Sequence, residues 1–340
     1  MRRIKKGSAI LLAAALVFSA LALPKAYAAV GIEEPENGCS ITLNVPTDTF
    51  SELEDLKIPV NLYKVADIGV GGDYTAVTGI STSLSVLDSD TTAGEMETLA
   101  ASLKTEIEKD SMEPTRNTVL EEGTATVTEL GIGLYAVIPE TVNSAYNQYE
   151  FSPTIVSLPG NNYYKTGDDT WIYNLTEENA IALKPEKADR YGDLKIVKNL
   201  NVYNETLDGA TFVFKVEATK TDVDTKNPKV VYSNVVAIDF NAPGEKFVLI
   251  EDIPAGADVT VTEIYTGASY KLTSDAVKTT VIIADGEEGA PATVDFSNTY
   301  DYHLNGGNGV VNSFIYNQDA AGNVTWTHSA MSDSTEAQPR

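Results

Sequence analysis

The sequence predicts an all-β fold: two tandem immunoglobulin-like β-sandwiches, the first with an inserted α-helix. The chain has 340 residues, a length that suits two domains of about 150 residues each. Most of it consists of short runs in which β-branched or aromatic residues alternate with polar ones, as in half-buried strands. Asp-Gly, Pro-Gly and Pro-Ala-Gly turn signals separate these runs in the second half of the chain.

Residues 1–28 are predicted to be a secretory signal peptide. A basic start, Met1–Lys6, is followed by the apolar stretch Ala9–Leu23 and by a small-x-small cleavage site at Ala26–Ala28. The apolar stretch is short for a bilayer span, so a membrane anchor is the less favoured alternative. We therefore expect a secreted protein.

The first domain, residues 29–190, is predicted to be strands around one helix. The strands are expected at Ile41–Val45, Ile58–Ala66, Gly123–Glu129, Leu134–Ile138 and Phe151–Leu158, with closing segments at Trp171–Leu175 and Ile181–Leu183. An apolar stripe at helical spacing predicts the helix, and Thr92 with Glu95 forms a capping box at its start. The stripe consists of Met96, Leu99, Ala100, Leu103 and Ile107.

The second domain, residues 191–301, is predicted to contain seven short strands. These are Gly192–Leu200, Gly209–Glu217, Lys229–Phe240, Glu245–Ile250, Asp258–Ile264, Thr279–Ala284 and Ala292–Tyr300. The charged, proline-containing segment Lys184–Arg190 is expected to be the joint between the two domains. Residues 302–340 are predicted to form a hairpin, Val310–Tyr316 with Val324–Thr327, and then a disordered tail from Ser329.

Charge and composition exclude several function classes. Without the signal peptide the chain has 19 basic and 49 acidic residues, so nucleic acid is not an expected partner. A single cysteine, Cys39, cannot form an internal disulfide framework. The two histidines, His303 and His328, have no nucleophile pattern beside them, which disfavours a hydrolase. Loop acids such as Asp222 and Asp224 lack calcium-loop spacing, so we expect no metal and no cofactor.

In three predicted strands of the second domain, every second residue is apolar until a polar residue takes the next such position. These polar residues are Lys198, Glu263 and Asn298. Alternate residues of a strand share a face, so these side chains should join the core. Burying an unpaired charge is costly, and such groups pair or become neutral. The chemistry available is self-crosslinking: a neutral lysine attacks the carboxamide, ammonia leaves, and the glutamic acid shuttles protons. The alternative is a buried ion pair with an amide partner.

These motifs resemble the CnaB-type domains of Gram-positive surface pilins, and the second domain resembles the streptococcal pilin isopeptide-linkage domain in particular. The matching segments are Gly192–Leu200, Gly209–Phe212, Val261–Glu263 and Phe296–Tyr300. The resemblance implies an isopeptide bond that joins Lys198 to Asn298, with Glu263 as the catalytic proton shuttle.

The first domain is similar to the N-terminal domains of the same pilins. The similarity lies in Leu62–Asp67, Gly133–Val137 and Phe151–Pro159. Its opening strand has no lysine, and Glu140 falls one residue late for the glutamate position, which puts it on the opposite strand face. We therefore expect no crosslink in the first domain.

A further motif of the family holds the lysine that accepts the next subunit in sortase chemistry. In this chain the segment Leu183–Lys187 occupies roughly its place, so Lys184 or Lys187 is a candidate acceptor. The alternative is that both lysines belong to a solvated hinge.

The function expected from these observations is that of a secreted or cell-surface pilin-like structural protein that serves pilus assembly or adhesion. Its partners would be other pilin subunits or cell-wall components. Self-crosslinking occurs once per chain, so the protein is not expected to be an enzyme. The alternative is an adhesin whose first domain binds a host glycan or matrix protein.

Overall fold

The computed structural model describes residues 31–87, 91–161, 170–222, 224–303, 311–318 and 324–331. The predicted signal peptide lies outside these ranges. Within them the chain separates into two compact units: one holds the residues up to Ser144 and Gln148–Ala188, and the other holds Ala145–Asn147 and the residues from Asp189 onward. No helix in the described ranges combines the length and the apolarity that a bilayer crossing requires.

The first unit is built from short strands and one long helix. The strands are β1 Cys39–Asn44, β2 Ile58–Ile68, β3 Tyr74–Ala76, β4 Arg116–Leu120, β5 Thr124–Leu130, β6 Gly133–Pro139, β7 Val142–Asn143, β8 Asn147–Ser152, β9 Thr154–Leu158, β10 Gly160–Asn161, β11 Trp171–Ile172, β12 Asn174–Leu175, β13 Ile181–Ala182 and β14 Lys184–Asp189. The helix α1 spans Ala93–Asp110, and 3-10 turns lie at Ser51–Glu54 and Glu177–Asn179.

Two sheets of the first unit share one core. One consists of β12, β1 and β13, with β5 also paired to β1, and the other has the order β3-β2-β6-β9, with β4 also paired to β2. Apolar residues from both sheets pack together, among them Ile41, Leu62 and the fully buried Tyr135. Smaller sheets are β14-β8-β7 and β10-β11.

Helix α1 covers the second face of the sheet that contains β6. Its buried residues Leu99, Leu103 and Ile107 pack against Leu134 and Ala136 of β6, as the helical stripe predicts. Because both faces of β6 are covered, all seven of its residues are buried. The predicted capping box is confirmed, since the side chains of Thr92 and Glu95 each accept from the other residue's main-chain N–H.

The predicted inter-domain joint, Lys184–Arg190, contains the point between Ala188 and Asp189 where the chain passes from the first unit to the second, but it is not a loop. Residues Lys184–Asp189 form strand β14, which pairs with β8 in the first unit. The charged side chains of β14 suggested a loop to sequence reasoning. An edge strand can carry such residues because one side of it faces water.

The second unit is a sandwich of two four-stranded sheets. Its strands are β15 Tyr191–Leu200, β16 Ala210–Thr221, β17 Pro228–Phe240, β18 Gly244–Pro254, β19 Asp258–Tyr265, β20 Tyr270–Leu272, β21 Val277–Val281 and β22 Ala292–Tyr300. The sheet orders are β18-β15-β22-β20 and β17-β16-β19-β21, and buried residues from both form one core. Sequence reasoning missed β20, which has only three residues.

The first and last strands of this sandwich are neighbours. Strands β15 and β22 run parallel, with Leu194 opposite Ala292 and Leu200 opposite Asn298. The all-β sandwich prediction is confirmed.

Farther along the chain, β23 Val311–Gln318 and β24 Val324–Met331 pair as an antiparallel hairpin.

The cap of α1 gives a first test. Thr92→Ala removes a side-chain acceptor for the Glu95 main-chain N–H and should destabilise the start of the helix by about 1 kcal/mol. Hydrogen exchange of residues 93–110 in the full chain would measure the loss. The control is Thr98→Ala, the same chemical change at an exposed position inside the helix, which should not lower protection, because alanine is the better helix former there. Equal exchange in the two variants would contradict the capping role.

Candidate functional site

The three polar residues singled out in the sequence meet in the core of the second unit. Lys198 lies on β15 and Asn298 on β22, two parallel neighbours in one sheet. Lys198 is opposite Phe296, and Asn298 is two residues farther along β22, so the two polar side chains are diagonal neighbours on one face. Glu263 lies on β19 of the other sheet, so the cluster joins the two layers of the sandwich.

Strand alternation brings each of these side chains inward. Residues two and four positions earlier on each strand are core residues, as expected for one buried face. Lys198 and Asn298 are fully buried, and only 5% of Glu263 is exposed. The predicted buried faces of these strands are therefore present.

Glu263 contacts both of the other groups. Lys198 donates from Nζ to Glu263 Oε2 at 2.6 Å and to Asn298 Oδ1 at 2.7 Å. Asn298 Nδ2 donates to the second carboxyl oxygen, Glu263 Oε1, at 2.7 Å. One carboxyl group thus bridges the amine and the amide nitrogen.

Three further residues, Thr266, Phe212 and Phe214, contact this cluster. Asn298 Nδ2 also donates to the main-chain carbonyl of Thr266, at 3.1 Å. Lys198 Nζ lies 4.7 Å from the ring centroid of Phe212 and 5.6 Å from that of Phe214. Phe214 in turn packs against Phe296 with ring centroids 5.0 Å apart. The aromatic rings exclude water from the amine.

Burial moves the ionisable pair toward its neutral form. Desolvation lowers the pKa of Lys198 to about 8, although the hydrogen bond and charge of Glu263 oppose this shift. Desolvation also raises the pKa of Glu263, against the hydrogen bonds from Lys198 and Asn298. Transfer of a proton from the amine to the carboxyl group therefore costs less than it would in water, and it leaves a neutral nucleophile beside a carboxamide.

The other candidate lysines lie elsewhere. Lys184 and Lys187 are on β14 of the first unit. Lys184 Nζ forms an ion pair with Glu97 at 2.6 Å, and Lys187 Nζ lies 5.9 Å from the ring centroid of Phe50.

The first unit has no matching cluster at the positions considered in the sequence. Lys64 on β2 pairs with Asp67 at 2.7 Å, and the exposed Glu140 accepts from Asn61 at 3.1 Å. These are surface interactions. Among the described residues of the whole chain, no group of three or more His, Cys, Asp or Glu side chains is arranged to hold a metal ion.

Sequence reasoning missed two parts of the site. Phe214 lies two residues after Phe212 on β16 and therefore on the same strand face, so the sequence pattern could have predicted that both rings enter the core. The Thr266 carbonyl has no sequence signal, because every residue has a main-chain carbonyl. Only the conformation of the turn after β19 brings this one within hydrogen-bond distance of Asn298.

A family model, "Domain of unknown function (DUF5979)", matches residues 194–301, a range that contains Lys198, Glu263 and Asn298. No curated protein gives a significant sequence match.

Solved structures similar to the chain include three pilins. The minor pilin GBS52 of Streptococcus agalactiae is 15% identical, with 78% of this chain and 98% of that one covered and a TM-score of 0.23. A streptococcal ancillary pilin is 14% identical (84% and 73% covered, TM-score 0.24). The shaft pilin of Lactobacillus rhamnosus GG is 13% identical (79% and 100% covered, TM-score 0.27). The chain is thus similar to Gram-positive pilins.

The lowered pKa of Lys198 predicts an effect of pH on stability. In Asn298→Ala, which cannot crosslink, the folded chain should lose the Lys198 proton near pH 8, whereas the unfolded chain should keep it up to about 10.5. Between these values the unfolded state binds more protons, so the free energy of unfolding should rise with pH. Urea unfolding of the second unit would measure this slope.

The matched control is Asn298→Ala with Lys198→Met, which has no amine to titrate at this position. Its free energy of unfolding should lack the rise that Asn298→Ala shows over the same pH range. Parallel pH profiles for the two variants would show that Lys198 titrates at its ordinary pKa.

Proposed function

We propose that this chain is a pilin-like structural protein of a Gram-positive cell surface, and that its second unit is locked by an autocatalytic isopeptide bond between Lys198 and Asn298. The observation that carries the proposal is the buried cluster, in which one carboxyl group contacts both the amine and the amide nitrogen. An ion pair alone would not require a carboxamide 2.7 Å from the lysine amine.

The reaction exchanges one amide for another. Lys198 first gives a proton to Glu263, and the neutral Nζ attacks Cγ of Asn298 to form a tetrahedral intermediate. Glu263 then gives its proton to Nδ2, the Cγ–Nδ2 bond breaks, and Glu263 takes the second proton from the attacking nitrogen. The products are a Lys198–Asn298 amide and ammonia, and the proton left on Glu263 departs with the ammonia as ammonium, so Glu263 ends as it began. No oxidant, metal or cofactor is needed.

The bond would give the second unit a mechanical role. Lys198 and Asn298 are 100 residues apart in sequence and lie on the first and last strands of the sandwich. For a disulfide that closes a loop of this length, the chain-entropy model gives about 4.7 kcal/mol of stabilisation. A pulling force that enters through β15 and leaves through β22 would pass through the covalent bond, so the enclosed strands would carry no load.

This function fits a protein displayed outside the cell. A covalent link between strands supplies the stapling that a single cysteine cannot. The expected partners are other pilin subunits or cell-wall components, and Lys184 or Lys187 on β14 is the candidate acceptor for the next subunit. Secretion through the predicted signal peptide belongs to the same proposal.

The mass of the mature protein tests the bond. The wild-type chain should weigh one ammonia less than its sequence, and a Lys198–Asn298 peptide pair should survive reduction and denaturation. Glu263→Ala and the closer mimic Glu263→Gln should fold but keep the full mass, because neither can relay protons. A wild-type mass equal to that of the sequence would refute the bond.

The same measurement tests the first unit. We expect the loss of one ammonia per chain, because Lys64 and Glu140 face other partners. Loss of two would reveal a second crosslink and overturn that part of the proposal.

Force spectroscopy tests the mechanical role. Pulled by its ends, the wild-type second unit should show no unfolding step for the segment between Lys198 and Asn298. Glu263→Gln keeps both of these residues but not the bond, and should release about 100 residues at up to about 3.6 Å each. Equal extension of the two proteins would mean that the cluster does not carry load.

A further inference from the structure

We propose that the main-chain carbonyl of Thr266 is a positioning group for the crosslinking reaction, which fixes the orientation of the Asn298 carboxamide and so selects the atom that leaves. This inference rests on the proposed function. It concerns the turn between β19 and β20, residues 266–269, which neither the sequence motifs nor the proton shuttle accounts for.

The orientation of the carboxamide matters because its oxygen and nitrogen have almost the same shape. Rotation by half a turn exchanges them, and only hydrogen-bond partners distinguish the two arrangements. The reaction needs Nδ2 beside Glu263, where it can be protonated, and the carbonyl oxygen on the other side. The described structure has this arrangement, with Nδ2 2.7 Å from Glu263 Oε1 and Oδ1 2.7 Å from Lys198 Nζ.

The two reacting partners cannot fix this orientation by themselves. In the reactive state the lysine is a neutral amine and the glutamic acid is protonated. Each of these groups can then both donate and accept a hydrogen bond, so each tolerates either end of the carboxamide.

The Thr266 carbonyl removes the ambiguity. A main-chain carbonyl is an acceptor only and does not titrate, so it favours the nitrogen whatever the protonation of the pair. It lies 3.1 Å from Nδ2. A flipped carboxamide would place two acceptor oxygens against each other in a buried site, which is unfavourable.

The turn that carries this carbonyl is tightly packed. Gly267 has φ +79°, a conformation that L-residues rarely adopt. A Cβ on Gly267 would lie 2.9 Å from the ring of Tyr270 and 3.3 Å from that of Phe212. Tyr270 begins β20, which pairs with β22 so that Leu272 is opposite Asn298. Because glycine has no Cβ, the turn can pack closely beside β22, the strand that holds Asn298.

The test displaces the turn and measures the rate of crosslinking. Full-length Gly267→Ala and wild-type chains are made by cell-free synthesis, quenched in acid at intervals and weighed intact. The variant should lose ammonia at least about tenfold more slowly, because a small misplacement of a reacting group has effects of this size or larger. The control, Gly286→Ala, has the same kind of backbone strain, φ +87°, but no atom near its new methyl group, and should react at the wild-type rate.

A second background separates positioning from general disruption. In Asn298→Asp the amine condenses with a protonated carboxylic acid and water leaves, so there is no nitrogen to orient and either oxygen can depart. Adding Gly267→Ala to this background should change the rate by less than about twofold. Should Gly267→Ala fail to fold, Tyr270→Leu replaces it, since it removes the ring against which the Gly267 turn packs and adds no atom to the turn.

The outcomes distinguish this inference from the proposed function. Loss of ammonia from wild type with an unchanged rate in Gly267→Ala would overturn the role of Thr266 and leave the bond intact. Equal slowing in the wild-type and Asn298→Asp backgrounds would also overturn it, since the turn would then be only structural. Absence of any ammonia loss from wild type would instead refute the proposed function.

Discussion

The second unit is organised around the exclusion of water from one lysine and one glutamic acid. In water these side chains would be a charged pair with little tendency to react. In the core, desolvation lowers the pKa of Lys198 and raises that of Glu263, so the neutral forms become accessible. The phenylalanine rings around Nζ are what maintain this environment. The hydrophobic core therefore stabilises the fold and also creates the conditions that the proposed crosslinking reaction requires.

The order of the strands decides which groups can meet. The parallel pairing of β15 and β22 brings two residues that are 100 positions apart into diagonal contact, and Glu263 reaches them from the other sheet. These contacts exist only after both sheets have packed. It follows that the proposed bond would form late, after folding, and would lock a structure that hydrophobic packing had already selected.

The first unit differs from the second in how its sheets are covered and in where its lysine and glutamate lie. Its core is also shared by two sheets, but helix α1 covers the outer face of one of them, so that β6 is buried throughout. Lys64 and Glu140 are engaged at the surface. In the described part of the first unit, the fold is stabilised by packing on both faces of the sheet that contains β6.

The sequence alone determined the periodic features. Strand alternation predicted that Lys198, Glu263 and Asn298 point inward, and the stripe with its Thr92 cap predicted α1, because both patterns depend on local geometry. Tertiary structure decided the rest. Segment 184–189 is a strand because β8 lies beside it, and three-residue β20 exists because β22 offers a partner. The approach of the Thr266 carbonyl to Asn298 was likewise decided by the fold, since a main-chain group has no signature in the sequence and its direction depends on how the turn packs.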